Sequence, residues 1–161
     1  MSRRLARELA FQVLFQVDIG HIPWKEALTR TGRDHDLPAK SRIFLEELVG
    51  GVINNLKWID DILTEFSADW PLQRMANTDR NILRLAVYEL MRMKDVPVEV
   101  TVNEAVELAK VYGEADSGRF VNGVLGNIIR KICRAVQAEG SSLPEEAEKR
   151  TEQEMKEFGH S

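Results

Sequence analysis

The sequence predicts an all-α fold of about seven helices, arranged as two small helical bundles packed together. Apolar residues recur three or four positions apart in segments spread along most of the chain, which is the spacing of one helix face. Proline, glycine and asparagine separate these segments. One stretch, residues 96–102, alternates β-branched residues, but the sequence offers it no partner strand. We therefore interpret it as an extended linker.

The first half of the chain contains four segments with helical periodicity. They cover residues 3–18, 24–30, 39–54 and 56–66. Ser2 is a suitable N-cap for the first helix. The pair Gly50-Gly51 lies inside the third helix, where each glycine costs about 1 kcal/mol in helix propensity. Close packing of a neighbouring helix would explain why glycine stands there.

Three further helices are predicted in the second half, over residues 79–94, 102–112 and 117–138. Thr78 is placed to cap the first of them, and Thr101 to cap the second. Glu104 stands three residues after Thr101, which is the spacing of a capping box. Gly113 follows the second helix at the position of a left-handed C-terminal cap.

Charge divides the chain into a body and a tail. The net charge is −4, but residues 140–161 hold six acidic and three basic residues, so the remainder is near neutral at −1. We expect residues 1–139 to form one helical domain and residues 140–161 to form an acidic, mobile tail. Within the body, Arg3, Arg4 and Arg7 cluster, and a local basic patch matters more for RNA affinity than the total charge.

Signals for secretion, membrane insertion and catalysis are missing from the sequence. It has neither an apolar run long enough to span a membrane nor a signal peptide, and Cys133 is its single cysteine, which fits the cytoplasm. The three histidines lack the Cys or acid spacing of a metal site. We therefore expect no enzyme activity, no cofactor, no metal and no membrane partner.

Two regions could bind RNA, and each has a simpler explanation. Arg3, Arg4 and Arg7 could contact phosphates, or they could be a solvated helix start. Phe15 and Phe120 could stack on bases or belong to the core.

The short turn before the last helix carries the second set of polar candidates. Asp116 and Ser117 are both suited to cap this helix, and the Asp116 carboxylate could also accept hydrogen bonds from base amino groups. A carboxylate, a hydroxyl, Arg119 and the ring of Phe120 so close together are unusual for an ordinary turn.

Three stretches resemble the NusB family of bacterial transcription antitermination factors, in the same order and over roughly residues 3–134. They are RRLARELAFQVLFQVD, DRNILRLAVYELMRMKDVPVEVTVNEA and NEAVELAKVYGEADSGRFVNGVLGNIIRK. The resemblance implies an all-helical, non-catalytic, RNA-binding adaptor that recognises single-stranded boxA-type RNA of ribosomal RNA leaders. It would do so together with NusE, a small-subunit ribosomal protein. RNA polymerase and other elongation factors would then be indirect partners.

The resemblance also implies roles for particular residues. Its RNA-binding positions correspond to Arg3, Arg4, Arg7, Phe15, Asp116, Ser117, Arg119 and Phe120. Phe15 stands where many relatives have tyrosine, so stacking could survive while a hydroxyl hydrogen bond could not. Asp79 corresponds to an acidic position of the surface that binds NusE. Self-association that hides the arginines is left open by the sequence.

Two alternatives remain at this point. The chain could be a purely protein-binding helical module, in which the arginines are solvated and Phe120 is core. It could also be a fragment of a ribosomal RNA cytosine methyltransferase, because a similar helical domain precedes the catalytic part of some of those enzymes.

Overall fold

The computed structural model describes residues 2–67 and 70–138, with side chains described for residues 3–67 and 70–132. The acidic tail and the side chains of Ser2 and Cys133 lie outside these residues. Within them the fold is all-α, as predicted, with a single 3₁₀ turn at Leu72–Arg74. The helices are α1 (Ser2–Gly20), α2 (Trp24–Asp34), α3 (Ala39–Asn54), α4 (Leu56–Phe66), α5 (Asn77–Arg92), α6 (Val98–Tyr112) and α7 (Ser117–Ala138). None of the described helices is long and apolar enough to cross a membrane.

The helices form two groups that share α5. Helices α1, α2 and α3 pack on one another, while α4 and α6 pack on α7. Helix α5 touches members of both groups, and 11 of its 16 residues are buried. The predicted pair of small bundles is therefore confirmed, with α5 as the common element of a continuous core.

Ion pairs and hydrogen bonds between distant residues fix the directions of three helices. Arg7 of α1 meets Glu89 near the end of α5, whereas Asp18 meets Arg80 near its beginning, so α1 and α5 are antiparallel. Arg4 pairs with Glu104 and Gln12 with Tyr112, so α1 and α6 run in the same direction. The start of α1 therefore lies beside the end of α5 and the start of α6.

The glycine pair in α3 has the packing explanation that its position suggested. A Cβ built on Gly51 would overlap the ring of Tyr88 on α5, so the tyrosine ring lies directly against the α3 backbone. Gly50 is less constrained, since its nearest contact would be Trp24 at 3.5 Å. The lost helix propensity at Gly51 is thus offset by tight packing of α3 on α5.

The predicted start of α6 is wrong. The helix begins at Val98, directly after Pro97, so most of the predicted linker over residues 96–102 is helical. Thr101 lies buried inside the helix instead of capping it, and its hydroxyl has no hydrogen-bond partner among the described atoms. The alternation of valines misled the prediction, because β-branched residues lower helix propensity only slightly and tertiary contacts override it.

The predicted cap of α5 is wrong as well. The helix begins at Asn77, two residues earlier than expected, and Ala76 precedes it. Thr78 is therefore a residue of the first turn. A side-chain hydrogen bond from Arg80 to Asn77 and another from Asn81 to the Asn77 carbonyl tie this turn together.

Candidate nucleic-acid interface

The candidate interface follows a line of contacts between α1 and α6, here called the α1/α6 seam. It comprises Arg4, Glu8 and Gln12 of α1 with Glu104 and Tyr112 of α6. The Tyr112 hydroxyl accepts a hydrogen bond from Gln12 at 3.0 Å and donates one to Glu8. Because the two helices run in the same direction, one end of the seam carries the arginines and the other carries the turn before α7.

Arg3 and Arg4 lie exposed at the end of the seam that carries the arginines, here called the first end. Each is paired with a carboxylate from a distant part of the chain. Arg3 donates to Asp95 at 2.9 Å, which lowers the pKa of that carboxyl below its usual range. Arg4 donates to Glu104 through Nε at 3.1 Å and through Nη2 at 2.9 Å. This two-point hydrogen bond raises the pKa of Arg4.

Arg7 differs from its two neighbours because it is buried. Only 5% of its side chain is exposed, and its Nε donates to Glu89 at 2.8 Å. Its guanidinium also lies 5.4 Å from the centre of the Phe44 ring. Burial raises the pKa of Glu89, and the charge and hydrogen bond of Arg7 oppose that rise. The expectation that Arg7 is exposed, whether to phosphate or to solvent, is therefore wrong.

The turn between α6 and α7 is held by the Ser117 hydroxyl. Ser117 is buried, and its Oγ accepts a hydrogen bond from the Glu114 amide at 2.9 Å. A Cβ on Gly113 would overlap this hydroxyl and approach the Ala109 carbonyl oxygen to 2.8 Å. Gly113 has a φ of −96°, so the predicted left-handed cap is wrong. Glycine is needed here to make room for Ser117.

Three of the predicted binding residues of this turn reach solvent. Asp116 precedes the first residue of α7, and its carbonyl accepts a hydrogen bond from the Phe120 amide at 3.0 Å. The side chains of Asp116 and Arg119 are exposed and, among the described residues, have no polar partner. Phe120 is half-buried, with its ring packed against the core.

A chain of aromatic rings leads from this turn back to α1. Tyr112, the last residue of α6, lies with its ring centre 4.9 Å from that of Phe11. Phe11 in turn lies 6.0 Å from Phe15, which is half-buried. The structure therefore brings Phe15 to the turn end of the seam, about 16 Å along α1 from Arg4 at the helical rise of 1.5 Å per residue.

Asp79 lies beneath this turn. It was expected on a partner-binding surface, but it is only 8% exposed, so its predicted surface position is wrong. The Ser117 hydroxyl lies close to its carboxylate, whose Oδ1 is buried and has no hydrogen-bond partner among the described atoms. Burial raises the pKa of Asp79, the nearby Ser117 hydroxyl lowers it, and the charge of Glu114 adds to the rise. Ser117 therefore joins the start of α7 to the first turn of α5.

Sequence reasoning missed Asp95, Glu104 and Tyr112 as parts of the candidate interface. All three stand in the stretches that carry the family resemblance, but their contacts on α1 are 92 to 104 residues away. Glu104 and Tyr112 are brought there by the direction of α6 along α1, and Asp95 by the connection between α5 and α6. Among the residues that the structure describes, no group of three His, Cys, Asp or Glu side chains could hold a metal ion.

The sequence matches the model of the NusB family over residues 4–130. A transcription antitermination protein NusB from Pelotomaculum thermopropionicum is 50% identical over 129 residues, which cover 80% of this chain and 90% of that protein. One from Bacillus pumilus is 48% identical over 128 residues, covering 80% and 95%.

Solved structures of NusB proteins have the same fold. The structure of Thermotoga maritima NusB aligns with a TM-score of 0.77 at 38% identity, covering 80% of this chain and 91% of that one. A chain from a complex of the antitermination factors NusB and NusE with double-stranded RNA aligns with a TM-score of 0.75 at 27% identity, covering 81% and 97%. These similarities favour the antitermination interpretation over both alternatives.

Proposed function

The chain belongs to the NusB family, and from that membership we propose that it is an RNA-binding adaptor in transcription antitermination. With NusE it recognises single-stranded boxA-type RNA of ribosomal RNA leaders, and it performs no catalysis. Its relatives carry the name transcription antitermination protein, and a structurally similar chain occurs in a complex with NusE and RNA. RNA polymerase and other elongation factors are engaged indirectly, through this assembly.

The observation that carries the proposal is the α1/α6 seam, which joins cationic and aromatic groups from opposite ends of the sequence. Arg3 and Arg4 at the first end contact phosphates. At the turn end, Phe120 and Phe15 stack on bases, Asp116 accepts hydrogen bonds from base amino groups, and Arg119 binds a further phosphate or base edge. This spacing suits a single strand that lies along the seam.

Two predicted RNA-binding residues act from beneath the surface in this proposal. Arg7 is buried against Glu89 and Phe44, so it fixes the start of α1 on which Arg3 and Arg4 stand. Ser117 is buried against Glu114 and Asp79, so it fixes the turn that presents Asp116 and Phe120. Both are positioning residues, because neither side chain is exposed enough to touch RNA.

The NusE surface is proposed to lie over the first turn of α5. Asp79 shapes that turn from below, and the exposed Asn77 and half-buried Arg80 lie above it. Since the buried Asp79 carboxylate lies close to the buried Ser117 hydroxyl, the proposed partner surface and the turn before α7 share one buried contact. Binding at either surface would order that contact and strengthen binding at the other.

The direct test is fluorescence anisotropy with labelled single-stranded boxA-type RNA, with and without NusE. A scrambled strand and a duplex of the same sequence are measured in parallel, which separates single-strand recognition from binding of double-stranded RNA. We expect preference for the single-stranded boxA sequence, tighter binding with NusE and weaker binding at higher salt. Phe120→Ala should weaken binding about five- to 150-fold, because stacking on one aromatic ring is worth about 1–3 kcal/mol per base.

The matched control is Phe66→Ala. Phe66 is also half-buried and packed against the core, but it lies at the end of α4, where the Lys131 ammonium is 5.4 Å from its ring centre. Its loss should reduce stability without changing RNA affinity. Equal binding of boxA-type and scrambled RNA, even with NusE present, would contradict the proposal and leave a protein-binding module.

A further inference from the structure

We propose that Asp95 and Glu104 are intramolecular competitors of RNA, which occupy the N–H groups of Arg3 and Arg4 that phosphates would otherwise bind. The inference rests on the proposed function, in which these two arginines contact RNA. It assigns a role to two carboxylates that do not themselves touch RNA: they lower the affinity that the arginines alone would give.

The Arg4–Glu104 pair carries most of this inference. A guanidinium binds a phosphate best through two parallel N–H bonds, and Glu104 already uses two such bonds, from Nε and Nη2. The same hydrogens cannot serve both anions at full strength. Glu104 is held in place by α6, with 16% of its side chain exposed, whereas Arg4 is 70% exposed. RNA can therefore reach Arg4, but it must displace the Glu104 carboxylate to bind the Nε and Nη2 hydrogens of the guanidinium.

The Arg3–Asp95 pair is more open. The side chain of Arg3 is 48% exposed and that of Asp95 is 64% exposed, and Arg3 Nη2 donates a hydrogen bond of 2.9 Å to the carboxylate. Arg3 also has its guanidinium 4.7 Å from the centre of the Phe44 ring, which limits where it can move. Because exposed single-point pairs are weak, Asp95 should compete less than Glu104.

Charge at this end of the seam points the same way. The three arginines line a surface depression of about 490 Å³ together with Asp95 and Glu104. The buried Glu89 neutralises Arg7 from behind. Three cations thus face three carboxylates, so the cluster that reads as a basic patch in the sequence has no net charge in the fold. Non-specific attraction of any RNA backbone, which depends on uncompensated cations, is reduced accordingly.

The consequence is that binding at the arginine end depends on contacts elsewhere. An RNA strand gains little from the paired arginines alone, since each phosphate contact must replace an existing ion pair. A strand that also engages the turn end, or that is presented by the protein partner, stays bound long enough to make the exchange. Asp95 and Glu104 thereby keep unrelated RNA from occupying the site.

The test is the RNA affinity of Glu104→Gln at several salt concentrations, with single-stranded boxA-type RNA and a scrambled strand of the same length. We expect about two- to fivefold tighter binding of both strands, because displacing an ion pair of this exposure costs that much. The salt dependence should also steepen, by about 0.7 in the logarithmic slope for each additional phosphate contact. Asp95→Asn should give a smaller gain of the same kind.

Two controls make the result specific to the ion pair. Glu107→Gln removes the same charge from the same helix, but Glu107 pairs with Lys110 at 3.5 Å and should give a smaller gain. Arg4→Gln should abolish the gain from Glu104→Gln when the two are combined, since Glu104 acts through Arg4.

Unchanged or weaker binding by Glu104→Gln would overturn the inference, and weaker binding would make Glu104 a residue that orients Arg4 for RNA. A gain that persists without Arg4 would overturn it as well. These outcomes are separate from failure of the proposed function, which would appear as the wild-type protein binding both strands equally. The scrambled strand still reports the competition in that case.

Discussion

The two ends of the α1/α6 seam contrast in how their arginines are held. At the first end, Arg3, Arg4 and Arg7 all donate to carboxylates, and one of them is buried. At the turn end, Arg119 is exposed and has no polar partner among the described residues. A cluster of three arginines in the sequence therefore contributes less free positive charge to the surface than a single arginine in a turn.

This difference teaches that charge in a sequence motif and charge on a surface are separate quantities. The turn is built from neighbours in the chain, such as the bond between the Glu114 amide and the Ser117 hydroxyl. The arginine end is built from acids that are 82 to 100 residues away in the chain. The geometry of the turn is therefore determined by its own sequence, whereas the geometry of the arginine end is determined by the packing of α5 and α6 against α1.

The largest expected effect comes from removing the buried arginine. Arg7→Met leaves the Glu89 carboxylate, 3% exposed, without its counter-charge, and loss of one partner of a buried ion pair costs about 3–5 kcal/mol. Urea unfolding should show a loss of that size at pH 7. The loss should shrink as the pH is lowered, because burial already raises the pKa of Glu89 and protonation removes the unpaired charge.

The matched variant at the turn end is Arg119→Met, which should change the free energy of unfolding by less than about 0.5 kcal/mol while weakening RNA binding. Replacing both members of the buried pair, as Arg7→Met with Glu89→Leu, should recover most of the lost stability. An Arg7→Met protein as stable as the wild type would mean that Arg7 is free for phosphate, and the contrast between the two ends would fail.

How far the sequence predicts this molecule depends on the distance over which each feature is determined. The bounds of α3 and α4 agree with the apolar periodicity, because that periodicity is a local property. The start of α6 was missed because the packing of Thr101 into the core outweighs the pattern of its valines. The exposure of Asp116 and the partial exposure of Phe120 at a helix start followed from their neighbours in the chain.

The burial of Arg7 and Asp79 could not be predicted in this way. Each depends on a partner from another helix, Glu89 in one case and Ser117 in the other. On a helical wheel, Arg7 lies at the border between the apolar and polar faces of α1. A small rotation of the helix about its axis there decides whether the side chain is exposed or buried. Nothing in the sequence gives that rotation, which is set by how α3 and α5 pack on α1.

A second, smaller effect tests the local construction of the turn. Gly113→Ala introduces a Cβ that overlaps the Ser117 side chain, at backbone angles that alanine tolerates well. We expect a loss of about 1–3 kcal/mol from overpacking, measured by urea unfolding, with weaker RNA binding because the turn moves. In a Ser117→Gly background the cost should fall, since the overlapping side chain is gone.

The control is Gly123→Ala on α7, where a Cβ would meet nothing within 4 Å. Alanine there should stabilise the protein by about 0.5–1 kcal/mol through helix propensity. Equal stability of the Gly113→Ala protein and the wild type would mean that the turn is not held by the Ser117 hydroxyl.

The smallest expected effect compares the pH dependence of the buried Asp79 carboxylate and the half-buried Asp18 carboxylate. Burial raises the pKa of Asp79, so the folded protein binds this proton more tightly than the unfolded chain does. Stability from Asp79 is therefore full below the usual aspartate range, near 3.9, and is lost as the pH rises through the raised value. Asp79→Asn cannot ionise, so its stability relative to wild type should improve between pH 3.5 and pH 7.

Asp18 should give the opposite sign. Burial alone would raise its pKa, but hydrogen bonds from Arg80 and Asn81, with the charge of Arg84, hold it below the usual range. Its contribution is present above the unfolded value and is lost as the pH falls, so Asp18→Asn should lose stability relative to wild type over the same rise in pH. Urea unfolding of both variants at several pH values measures the two slopes. Slopes of equal sign would mean that the Asp79 carboxylate is paired and solvated like a surface acid, and that the contact between the first turn of α5 and the turn before α7 is not buried.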